Sequence, residues 1–273
     1  MYTFDVAFYR LYGSAKIIPF WSKYYMDEII TWFEKLWATL LYQFNIAFIV
    51  DSRWRYITNG LKVTLQTTFN ALLLGVVLGV LIAVVRSTWD MNKAAMNSGV
   101  RLLLGIPNAL CQFYLTVIRG TPVVVQLMIF YFVVFPGSRN GLGVASLAFG
   151  INSGAYVAEI VRGGIMSIDS GQMEAGRSLG FGYGKTMWYI VLPQAFKNIL
   201  PALANEFIVL LKETAVVGYV AVSDLMRGAN IIMSVTYLAF MPLVSVALIY
   251  LAMVMLFSWL VGKLERRLRN SDH

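Results

Sequence analysis

Residues 174–193 read E-A-G-R-S-L-G-F-G-Y-G-K-T-M-W-Y-I-V-L-P, a long polar, glycine-punctuated stretch in the carboxyl half of an otherwise apolar chain. Glu174, Ala175 and Gly176 offer a small helical face suited to close docking, and Gly180, Gly182 and Gly184 free the backbone for a sharp turn. The G-F-G-Y-G-K-T run from Gly180 to Thr186 looks like half of a phosphate-binding loop. That loop needs a glycine five residues before Gly184, where Leu179 stands, so nucleotide binding is excluded here. An ordinary polar loop between membrane spans would also account for the glycines and charges. What sets the stretch apart is its spacing: an acidic residue and alanine, then Gly180, then Ile190 and Leu192-Pro193.

Composition fixes the solvent. With 59% hydrophobic and only 13% charged residues, and a mean hydropathy of +0.68, the chain has too little charge to clothe a water-soluble globule, so it is read as an integral membrane protein. The net charge of +8 does not indicate nucleic acid, because the basic residues are scattered between apolar stretches and at the carboxyl end. Cys111 stands alone and His273 is the last residue, which leaves no disulfide framework and no metal cluster. Asp5 and Arg10 interrupt the amino terminus, which lacks the layout of a cleaved signal; the first span itself is expected to direct insertion.

Residues 1–58 form an aromatic section, with Trp21, Tyr25, Trp32, Phe33 and Trp37 among Lys16, Lys23, Asp27, Glu28, Glu34 and Lys35. This mixture favours the headgroup zone, and the apolar run 36–50 is short of the roughly 20 residues a spanning helix needs. Interfacial helices are expected, with an extra span as the alternative. Residues 63–85 are uncharged and long enough to cross; Gly75 and Gly79 make a small-xxx-small pair, and Arg86, Asp90, Lys93 and Arg101 are placed in the loop beyond. Between 102 and 137 the break is expected at Arg119-Gly120-Thr121-Pro122, with a partly inserted amphipathic helix before it and the second span over 123–135.

The third span begins near Leu142. On it Asn152, Tyr156 and Glu159 share one helical face. The fourth opens at Pro193 and carries Asn205, Glu206, Lys212 and Glu213, too polar to be bathed in lipid. Pro242 is expected to divide 228–262, giving a fifth span over 241–262 and a membrane-edge segment with Asp224 and Arg227. Lysine and arginine placement puts the carboxyl end and the 174–193 loop inside and the amino terminus outside.

Several further stretches carry a family resemblance. They are V-I-R-G-T-P-V-V-V-Q-L from Val117, G-A-Y-V-A-E-I-V-R-G-G-I from Gly154, S-I-D-S-G-Q-M-E-A from Ser167, L-P-Q-A from Leu192 and L-P-A-L-A-N-E-F-I-V-L-L-K-E-T from Leu200. Together with 174–193 they resemble the polar-amino-acid branch of ATP-binding-cassette importer permeases, whose EAA loop docks on a separate ATPase. The resemblance covers roughly 59–264, leaving a basic tail over 265–273. It departs at Gly176, where the family usually has a second alanine, and at Glu213, where aspartate is more frequent.

The resemblance implies an all-α membrane protein, a five-span type I importer transmembrane domain with a cytoplasmic coupling helix. It implies a non-catalytic subunit in the bacterial inner membrane with no cofactor of its own. ATP and Mg would sit on two ATP-binding subunits. A second permease, identical or related, a solute-binding protein and a polar amino acid complete the expected partners, within membrane lipid and without nucleic acid. The coupling residues are then Glu174, Ala175, Gly176, Gly180, Leu192 and Pro193.

A pathway for an amino acid needs a cation for the carboxylate and an acceptor for the ammonium. Arg119 is the candidate for the first, with Gln126, Asn205 and Glu206 nearby; Glu159, with Asn152 and Tyr156, is the candidate for the second. Purely structural pairing of Glu159 with Arg162, or Arg119 capping a broken helix, remains the competing reading. An ion-coupled carrier or channel relaying protons through Glu159, Glu206 and Glu213 is the alternative function, although five spans do not divide into two matched halves. A non-transporting scaffold would leave the intramembrane polar residues unexplained. No nucleophile, base and oxyanion group come together for catalysis.

Overall fold

The computed structural model describes residues 17–93 and 96–269; Asp5, Arg10, Lys16 and His273 lie outside them. The regular secondary structure of the described residues is all helical: α1 (Ile17–Phe44), α2 (Trp54–Asn92), α3 (Ser98–Gly120), α4 (Val123–Ile129), α5 (Gly141–Met166), α6 (Ser170–Ser178), α7 (Tyr183–Thr186), α8 (Leu192–Glu213), α9 (Leu225–Thr236) and α10 (Phe240–Arg269). π-turns extend α1 and α4 and join α7 to α8. Four starts are set by a short polar side chain accepting from a backbone N–H of the first turn. Asn97 accepts from Val100, Asn140 from Gly143, Asp169 from Gly171 and Asp224 from Arg227, each satisfying a donor the helix cannot.

α2 and α5 form the axis of the molecule. Gly75 lies against Ser153 and Gly79 against Val157, while Gly150 lies against Leu74, so the two helices run in the same direction with backbones in close approach. A Cβ at Gly79 would stand 2.6 Å from Val157 Cβ and 2.9 Å from the Ala158 nitrogen. Since backbone cannot yield as a side chain can, Gly79→Val is expected to cost about 1–3 kcal/mol or more by overpacking. A lowered melting temperature and poor yield of the purified protein would register it; unchanged stability would mean that the helices pack elsewhere.

The second crossing differs from the sequence expectation. The break falls at Thr121-Pro122 as expected, but the 123–135 stretch is no span by itself. α4 and its π-turn form an apolar helix of 12 residues, Val123–Val134, about 18 Å at helical rise against a hydrocarbon layer of about 30 Å. α3 is by itself long and apolar enough to cross, yet it runs beside only the later half of α2. Gly105 lies at Trp89, the Arg86 guanidinium donates to Asn108, and Tyr114 donates to the Ile151 carbonyl. α4 then continues beside the earlier half, where Leu127 packs with Ala71, Ala145 and Phe149 and Tyr131 reaches Gly141. One traverse is thus made of two successive pieces, α3 beside the later half of α2 and α4 beside the earlier half.

Among the described residues α2, α3, α5 and α10 are long and apolar enough to cross a membrane. α8 has the length, with 22 residues, but carries charge, as its sequence indicates. Counting α3 and α4 as one traverse, the crossings are α2, α3–α4, α5, α8 and α10, five in all. Two further expectations are corrected. Arg86 and Asp90 are not loop residues: α2 continues to Asn92. The division before the last span falls at Tyr237, left-handed at φ 57°, and not at Pro242, which sits in the first turn of α10, where its missing N–H costs nothing.

Candidate functional site

The 174–193 stretch folds into a helix, a tight turn and a helix entry. α6 ends where the Leu179 amide donates to Ala175 and the Gly180 amide to Arg177, and the Phe181 amide returns to the Gly176 carbonyl. Gly180 has φ +83°, the left-handed conformation that closes a helix and that a Cβ disfavours. Gly182 has an ordinary extended conformation, so of the three glycines only Gly180 is needed for its dihedral angles. Gly176 is buried, and a Cβ there would stand 2.5 Å from Thr186 Cγ2 and 2.9 Å from Ile190 Cδ1. The missing methyl lets α6 lie directly on the entry to α8. Leu192 and Pro193 begin α8, with Pro193 in the first turn.

The outward face of this unit is unpartnered. Glu174, Ala175 and Arg177 are exposed, and Leu179 is 76% and Phe181 41% exposed. Met173 turns inward onto the cluster of Val161, Ile165 and Val191. A rigid, polar-rimmed knob with two apolar side chains at its tip is a shape for insertion into another protein.

The second candidate region lies at the break in the α3–α4 crossing. The Arg119 guanidinium sits 5.5 Å from the centre of the Tyr156 ring, within cation–π range. An open cavity of about 450 Å³ is lined here by Arg86, Gln112, Thr116, Arg119, Glu159 and Arg162, among others. Arg119 and Glu159 therefore line one cavity, and Tyr156, on the helical face it shares with Glu159, meets the Arg119 guanidinium. The Glu159 carboxylate is also engaged: Arg162 donates to it at 2.9 Å and to Asp90 at 3.2 Å. The Arg162 pairing weighed from the sequence is present, with Asp90 added to it.

Gln126 and Asn152 are joined in a different way. The Gln126 side-chain nitrogen lies 2.7 Å from the Ile118 carbonyl, 3.1 Å from the Thr121 carbonyl and 2.7 Å from Thr121 Oγ1, and its oxygen accepts from Asn152 at 3.0 Å. It closes the break by taking up the carbonyls that the interrupted helix leaves open. Glu206 is buried and accepts from Ser153 at 2.8 Å, one residue from Asn152 and inside the bundle. Asn205 is exposed and is not brought into this network. Residues that sequence reasoning missed are Arg86, Asp90, Asn108 and Ser153. The 86/90 spacing, one helical turn on the same face, was the available signal.

Residues 75–270 match the model of the family described as binding-protein-dependent transport system inner membrane component. The chain belongs to this family. The match runs from the middle of α2 through the 174–193 knob to the end of α10. The chain is also 38% identical over 224 residues to the arginine transport system permease protein ArtQ of Bacillus subtilis (strain 168), covering 80% of this chain and 94% of that one. It is 34% identical to the glutamine transport system permease protein GlnP of Escherichia coli (strain K12), covering 77% and 91%.

Among solved structures, one described as an amino acid ABC transporter with histidines is similar at 42% identity and a TM-score of 0.70, over 81% of this chain and 98% of that chain. The MetNI methionine ABC transporter, at 21% identity and a TM-score of 0.66, shows a shared fold. As a binding-protein-dependent permease, this chain is a non-catalytic, multi-pass subunit of the inner membrane with the type I importer fold. ATPase and solute-binding chains work beside it.

Proposed function

We propose that this permease forms the translocation pathway for a polar amino acid and is driven through the 174–193 knob by two ATP-binding subunits that hold ATP and Mg. A second permease, a copy or a relative, completes the pathway, and an extracytoplasmic binding protein delivers the solute. The observation that carries the substrate reading is the cavity that sets the Arg119 guanidinium and Tyr156 ring beside Glu159. A zwitterion needs both signs of charge in one place, and the relatives are named for arginine and glutamine. Arg119 takes the carboxylate. Glu159, held by Arg162, presents its remaining lone pairs to the ammonium. Gln126 and Asn152 act by holding the break in shape, and Glu206 braces α8 against α5.

The test is uptake of labelled amino acid by the reconstituted complex, with binding-protein affinity measured separately. Arg119→Gln and Glu159→Gln are each expected to lower uptake roughly tenfold or more, equivalent to about 1.4 kcal/mol, while the binding protein retains its ligand as before. Unchanged uptake kinetics in both variants would remove these residues from the pathway.

A further inference from the structure

The first described helix has no counterpart in the matched family region, which begins at residue 75. α1 is 28 residues long, about 42 Å at helical rise, and its side chains from Tyr25 to Ala38 are exposed. Placed at about 100° per residue, these side chains separate into two halves. Tyr25, Ile29, Trp32, Phe33, Leu36 and Trp37 fall on one side, and Asp27, Glu28, Thr31, Glu34 and Lys35 on the other. Among the described residues, Ile29, Trp32, Phe33, Leu36 and Trp37 of the apolar half are left 39–65% exposed.

The helix also has a defined place. The π-turn that follows it is anchored, with Ala47 and Phe48 buried among Ile57, Leu225, Ala229 and Val246. Because α2 and α5 run in the same direction and α5 leads into the coupling knob, the start of α2 and the α1 anchor lie at the opposite end of the bundle. Exposed Phe44, Ile49, Val50 and Trp54 carry the apolar surface past the end of α1, and exposed Arg55, Asn59 and Lys62 then separate it from the outward apolar stripe of α2 at Phe69, Leu73, Val77 and Leu81.

We propose that α1 lies in the plane of the membrane at the end remote from the coupling knob, its aromatic half sunk at the boundary of headgroups and acyl chains. The family's place in the inner membrane, and the anchoring of Phe48 on Ile57 of α2 and Val246 of α10 just before the lipid-facing stripe begins, identify the occupant as lipid. The indole and phenol rings match the wet edge of the hydrocarbon layer, and the charged half keeps its hydration. A crossing orientation would bury Asp27, Glu28, Glu34 and Lys35 in hydrocarbon, at several kcal/mol. The acidic excess on the polar half means that anchoring rests on apolar burial and does not require anionic lipid.

The test uses the full chain in its assembled complex, in lipid nanodiscs of phosphatidylethanolamine and phosphatidylglycerol, in a Cys111→Ser background that removes the one native thiol. Single cysteines are introduced from 25 to 38, spin-labelled, and probed with oxygen and with a water-soluble nickel chelate. The expected pattern oscillates with a period near 3.6 residues: oxygen favoured at 29, 33 and 36 by roughly threefold, the nickel chelate favoured at 27, 31 and 34. Nickel access at every position would mean a helix free in water. Oxygen access around the whole circumference would mean a sixth span, and exclusion of both reagents from 29, 33 and 36 would mean a protein partner. Each of these three outcomes overturns the proposal.

Discussion

Replacing Glu174 by lysine is expected to leave the permease inserted and folded while ATP-driven uptake is lost. The side chain is exposed, and among the described residues the side-chain contact to Glu174 is Ser178 donating to its backbone carbonyl at 3.0 Å, so the fold should change by no more than about 0.5 kcal/mol. The charge reversal falls instead on the outward face of α6, beside Ala175 and one turn before the exposed Leu179. In the proposed docking on an ATP-binding subunit, the reversal sets a cation where the partner receives a carboxylate, and such a mismatch at a docked interface costs several kcal/mol. Uptake is expected to fall by about 100-fold or more, with ATP hydrolysis either uncoupled or absent because the ATPase no longer co-purifies. Gly180→Leu should act on the same surface by another route, since φ +83° costs a side chain about 1–2 kcal/mol and relief would re-aim Leu179 and Phe181. Normal coupling in both purified complexes would show that the knob is not the contact through which hydrolysis is transmitted.

The second large effect is expected at Arg162. Its guanidinium lies between Asp90 on α2 and Glu159 on α5, joining the two axial helices near the cavity. Arg162→Met leaves two carboxylates facing each other without their shared cation. Stranding a fully buried charge costs about 3–5 kcal/mol, and these side chains retain partial exposure, so about 2 kcal/mol is expected here. Thermal unfolding of the detergent-solubilised protein reads the loss. Adding Glu159→Gln to the Arg162→Met protein removes one of the two stranded charges and should recover part of the stability. A double variant no more stable than the single one would show that the two sites do not interact.

The sequence made the architecture legible because its strongest signals were local. Uncharged runs, the glycine pair at 75 and 79 and the proline break at 122 each mark the feature they produce. The 174–193 stretch announced a helix, turn and helix through spacing, and the structure adds why glycine suits position 176: Thr186 and Ile190 occupy the space of a methyl group. What pattern reading could not supply was pairing across the bundle. Asp90 looks like a loop acid until α2 is seen to continue past it, and its partner Arg162 is 72 residues away. Gln126 read as a pathway residue because a polar group in an apolar run is conspicuous; its amide is occupied in sealing the break. Asn205 and Glu206 are adjacent in sequence and about 100° apart on a helix, so α8 exposes one and buries the other, a distinction that needs the neighbouring helices. Pro242 misled because proline tolerates a first helical turn as readily as it ends a helix.

The joint in the second crossing carries a mechanical meaning. An unbroken helix resists bending through a ladder of backbone bonds, whereas here, across Gly120–Pro122, stiffness is lent by one side-chain amide reaching Ile118 and Thr121. The wall of the pore is therefore articulated, and the angle between its two halves is held by Gln126. Shortening that residue would slacken the hinge without touching the motor, so the barrier would leak with the engine intact.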